Sequence, residues 1–143
     1  MRDPLTRRGD HYQARMLEAD VPSVITGRLY TTSELVDALL RWCPSPPVYG
    51  QLGDRERMDL DWSRVSHEVT DIRLEQGYLV GEIRILSTRS GQLLAKDLAQ
   101  GGAWRLKLIC TGMLHFVQDD SDWFPPWVSK IQIVGADVVP MHD

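Results

Sequence analysis

The sequence predicts a single α+β domain: a curved, mostly antiparallel sheet or small barrel carrying two short helices. Three observations carry this reading. Residues 63–75 and 77–86 are strand-like runs joined at Gln76-Gly77, a short turn containing glycine. Only two stretches, near 32–42 and 92–100, space their apolar residues as helices do. Two further long strand-like runs, 104–116 and 129–141, close the chain.

Bulk properties fit that class. The chain has 143 residues, 43% hydrophobic and 25% charged, enough for one domain with a sizeable core. Five tryptophans supply large apolar surfaces. The net charge of −4 and the absence of a basic run leave nucleic-acid binding without an electrostatic footprint. No segment approaches the roughly 18 apolar residues a membrane helix needs. The charged start MRDPLTRRGD has no apolar core, so no signal peptide is expected. Two cysteines, Cys43 and Cys110, then read as reduced thiols. The four histidines are scattered and no CxxC or HExxH occurs, so no metal site and no cofactor are expected.

Taken in order, residues 1–20 are polar and read as an N-terminal arm, leaving 21–143 as the folded domain. VPSVIT (21–26) is a short β-like run. Thr31 and Glu34 have capping-box spacing, which starts a helix near Thr32. Leu35, Val36, Leu39 and Leu40 would face the core, and Pro44, Pro46 and Pro47 stop the helix. Cys43, just beyond Trp42, reads as a buried small hydrophobe. VYGQL (48–52) is a candidate strand, and GDRERMDLD is a solvated loop. In the hairpin, Leu79, Gly81, Ile83 and Ile85 alternate with more polar neighbours. STRSG breaks it, and QLLAKDLAQ (92–100) is a helix ended by Gly101-Gly102. DDSDWFPPW (119–127) is a loop. Its Trp123, Phe124 and Trp127 are either binding anchors or a minor core of their own.

The order of these pieces, from about Gly27 to Val139, resembles the prohead maturation proteases of tailed phages, relatives of the herpesvirus assembly protease. The pieces are GRLYTTSELVDALL, PVYGQLGDRERMDLDWSRVSH, GYLVGEIRILSTRSGQLLAKDLAQGG, LICTGM and IVGADVVP. The resemblance implies a serine-peptidase site whose base is the histidine of a Gly-Glu-Leu-x-His-Pro run. Its nucleophile is the second serine of Ser-Ser-Arg-Gly. Here the first run reads Gly50-Gln51-Leu52-Gly53-Asp54-Arg55, placing Asp54 at the histidine. The second reads Cys110-Thr111-Gly112, placing Cys110 at the nucleophile and Thr111 at the arginine.

These substitutions oppose acyl transfer. A carboxylate with an ordinary pKa near 3.9 is a poor base for a thiol near 8.5. Its charge also disfavours the thiolate. His67, in the VSH that closes the second piece, is the one candidate to replace the base, with Asp137 as the candidate to orient it. The bland readings are a satisfied strand histidine and a polar residue at a strand end. Arg55 and Arg57 beside Asp54 would pair with it at the surface, and are candidate contact residues.

The resemblance therefore implies a non-catalytic phage protein. Its expected partners are capsid or other head and virion proteins, with self-association possible and no nucleic acid or membrane. It would reside in the virion, or in the host cytoplasm during assembly. The competing expectation is an active cysteine peptidase using Cys110 and His67 on scaffold or capsid chains.

Overall fold

The structure, a computed structural model, describes residues 3–117 and 124–141. Trp123 of the aromatic tract lies outside them. Strands β1 (Thr6–Arg8) and β2 (His11–Glu18) come first, followed by helix α1 (Thr32–Arg41) and β3 (Val48–Gln51). A 3-10 turn at Trp62–Arg64 leads into β4 (Val65–Glu75), β5 (Tyr78–Ile85) and helix α2 (Arg89–Ala99). Strands β6 (Trp104–His115) and β7 (Trp127–Pro140) complete it. The first five strands form one sheet in the order β1-β2-β5-β4-β3, all antiparallel, and β6-β7 form a second. The two are not closed into a barrel. Parallel bridges join Leu52 to Val138 and Leu29 to Trp127, tying the two-stranded sheet to the rest of the fold.

Local chemistry explains most boundaries. The Thr31 hydroxyl caps α1 by accepting from the Glu34 amide at 3.3 Å. Thr88 caps α2 in the same way through the Gly91 amide, so this helix begins three residues before the expected Gln92. The β4–β5 turn has Gln76 and Gly77 at φ of 52° and 83°, the two positive values a right-twisted two-residue hairpin requires. Leu35 and Ala38 of α1, Val69 and Ile72 of β4, Leu79 and Ile83 of β5, Leu94 of α2 and Leu106 of β6 share one core with Ile131, Ala136 and Val138 of β7. No helix among the described residues is long and apolar enough to cross a membrane.

Four expectations are corrected. Residues 6–18 are not an irregular arm: β2 pairs with β5 from Tyr12 to Glu18 inside the main sheet. Only Ala14 of β2 is fully buried, so the strand carries too few apolar residues to announce itself. Residues 21–26 form turns rather than a strand, with Val24 and Ile25 exposed. On α1, Val36 and Leu40 point to solvent, because the stripe that reaches the core runs through Leu35, Ala38, Leu39 and Trp42. Cys43 is exposed, since the chain leaves the helix at Trp42 and turns outward into the proline segment.

Candidate functional site

Of the positions singled out in the sequence, Arg55, His67 and Asp137 gather where β3, β4 and β7 meet. Gly50 of β3 faces His67 of β4, with Ala136 and Asp137 of β7 alongside. The absence of a side chain at Gly50 is structural. A Cβ there would stand 2.1 Å from His67 Nε2 and 2.2 Å from the Ala136 carbonyl oxygen. That space is where the imidazole reaches β7.

His67 is fully buried. Its Nε2 lies 2.7 Å from the Ala136 carbonyl, which has no proton to give, so Nε2 donates. Nδ1 then carries the lone pair and accepts from the Ser66 hydroxyl at 2.7 Å. Burial drives the imidazole pKa from 6.5 down to about 4, although the Ala136 bond and the Asp137 charge both favour protonation. The ring is neutral near pH 7, and neither nitrogen is open.

Asp137 is also fully buried. Its partner is Arg55, which binds it through two bonds, Nε to Oδ2 at 2.7 Å and a terminal nitrogen to Oδ1 at 2.9 Å. The Gln51 amide donates to Oδ1 at 3.1 Å. The Arg55 side chain is only 6% exposed. The expected surface pairing of Arg55 with Asp54 is therefore replaced by an inward pairing with Asp137, because a buried carboxylate needs a cation far more than an exposed one does. Asp54, exposed, accepts instead from Lys107 Nζ of β6 at 2.8 Å. Arg57 is exposed on the same loop.

Sequence reasoning missed Gln51. Its side-chain nitrogen donates to the Gly53 and Asp54 carbonyls, both at 3.3 Å, and its oxygen accepts from the Asp61 amide at 2.9 Å. One buried amide thus closes both ends of the 53–61 loop. With Arg55 donating to the Met58 carbonyl at 3.1 Å, the loop is fixed over a polar cavity of about 300 Å³. A mostly polar run beside a strand-end glutamine was the available signal.

Cys110 sits on β6 opposite Ile133 and is half-buried. Burial raises its thiol pKa, and the Arg28 charge offsets part of that rise. Tyr30 is raised too, first by burial and then by its neighbour Cys110. At the far end of the β6–β7 hairpin, Trp127 stacks on His115 with ring centres 5.3 Å apart, and Phe124 meets Trp127 edge-on at 5.9 Å. Phe124 remains 54% exposed. Among the described residues no cluster of three metal-ligating side chains occurs.

No family model matches this sequence, and no curated protein is similar to it. The architecture is similar to that of a solved structure whose own class is that of a capsid assembly protease. The particular structure is gp21, the capsid assembly protease of bacteriophage T4. The TM-score is 0.77 with 18% identity, covering 98% of this chain and 90% of that one. The likeness is one of fold.

Proposed function

We propose that this protein is a non-catalytic binding component of a phage head, built on the prohead-protease fold and acting on capsid or other virion proteins as a decoration, cement or assembly factor. The observation that carries the reading is His67. It is the histidine the sequence offers to replace the missing base, and both of its nitrogens are held, by Ser66 and by Ala136. While it stays buried, its low pKa also makes it a weak proton acceptor. Asp137, the candidate to orient it, is bound by Arg55. The Cys110 thiol, with its raised pKa, is mostly protonated near neutrality, and the thiolate is the attacking form. The fold match to a capsid assembly protease supports the phage-head setting.

The competing reading is a cysteine peptidase that uses Cys110. Incubation of the purified protein with capsid and scaffold chains, followed by mass spectrometry, separates the two. The expected result is intact chains and co-sedimentation with capsid shells. Cleavage that disappears in Cys110→Ala would sink the non-catalytic reading.

A further inference from the structure

We propose that the free edge of β6 is an interface between two copies of this chain, pairing β6 with β6 antiparallel across a two-fold axis at Gly112. On its outer edge β6 bonds Leu5 through the Trp104 carbonyl at 2.7 Å. Beyond Trp104 that edge has no backbone partner among the described residues. Met113 and Leu114 are successive, so they lie on opposite faces, yet they are 50% and 44% exposed. Phe116 and Val117 follow at 57% and 47%.

The two edges of the five-stranded sheet are protected and this one is not. Strand β1 has three residues, two of them arginines, and β3 has four and follows three prolines. From Leu108 to Val117 there is no Lys, Arg, Asp, Glu or Pro. Bulges do not blunt the edge either. At both β6–β7 register shifts the extra residue falls on β7, leaving β6 regular. A regular, uncharged, apolar edge invites another strand.

The segment is self-complementary, which fits a second copy as that strand. A two-fold pairing places each residue opposite its own mirror position. With Gly112 on the axis, Lys107 faces Val117, Leu108 faces Phe116, Cys110 faces Leu114 and Thr111 faces Met113. No like charges meet, and the axis itself carries no side chain. The proposal does not rest on the non-catalytic reading.

Sedimentation velocity of the full chain over a concentration series tests it, together with Met113→Lys, Leu114→Lys and, as a control, Leu40→Lys on the exposed face of α1. The expected result is a concentration-dependent dimer that is lost in both edge variants and kept in Leu40→Lys. A wild type that stays monomeric at every concentration overturns it, leaving the edge to a strand of another protein. Loss of the dimer with Leu40→Lys alone also overturns it. Oxidised Leu114→Cys in a Cys43→Ser background gives a second readout that does not depend on dissociation. Four residues along one strand span about 13 Å, too far for a disulfide within one copy. Covalent dimers linking position 114 to Cys110 of the second copy are expected, and their absence counts against the pairing.

Discussion

The two ends of the β6–β7 hairpin share strands and differ in everything around them. At the proximal end, Gly135 through Val139 are buried without interruption, on both faces of β7. There Asp137 has Arg55 and Gln51, and the Ala136 carbonyl has His67. At the distal end, Thr111 through Leu114 are all exposed, and β6 is held by one neighbouring strand. A buried polar group is costly to orphan, so the proximal end concentrates stability in a few bonds. At the distal end the partner strand still sends Val128 and Ile131 into the core, so the unbroken exposure is confined to β6. The same hairpin thus anchors the fold at one end and leaves the other available for contact.

The largest test of this contrast is to orphan the buried charge. Arg55→Ala should destabilise the fold by about 3–5 kcal/mol in denaturant unfolding. The double variant Arg55→Met with Asp137→Leu should recover much of that, because an apolar pair leaves no bare charge.

Next comes pH. The folded pKa of His67, about 4, lies below its unfolded value of 6.5, so the unfolded chain takes up the proton first. The stability is present above 6.5 and is lost as pH falls from 6.5 toward 4, by about 3 kcal/mol. A His67→Gln variant should show a flatter profile across that window, read as the urea midpoint at each pH. An equally steep profile would place the titration elsewhere.

Gly50→Ala should cost about 1–3 kcal/mol by pushing the imidazole off the Ala136 carbonyl. At the distal end, Phe116→Ser should change monomer stability by no more than about 0.5 kcal/mol. A large loss there would mean that the tip is as tightly built as the base. The smallest difference is chemical: iodoacetamide should modify exposed Cys43 before half-buried Cys110, whose pKa is raised by burial.

Sequence periodicity revealed what local rules govern. The Thr31 cap, the Gln76-Gly77 turn and the four strands from β4 to β7 follow from spacing and turn chemistry over a few residues. Strand β2 was hidden because its burial comes from its neighbours rather than from its own composition. The Val36 and Leu40 positions were misread because helical spacing marks an apolar stripe but not its width. The Arg55–Asp137 pair joins residues 82 apart, which no local pattern encodes. A signal existed all the same: an aspartate inside the apolar run Val134–Val139 must find a cation if both faces of that strand are covered. At the site, the missing base was legible from Asp54, whereas the closing of His67 on both nitrogens required the fold.

The two strands of the hairpin have unequal contour length, 12 residues in β6 against 14 in β7. Like a strip bonded to a longer one, such a ribbon must coil, and the surplus at Val134 and around Lys130 decides where. Lys130 takes a φ of 51° to absorb its share, with its amide fastened to Glu34 of α1. The aim of the tip is therefore set by residues remote from it. Deletion of Val134, one of the two surplus residues, would relax part of that coil and swing the β6 edge to a new bearing, with every side chain on that edge unchanged.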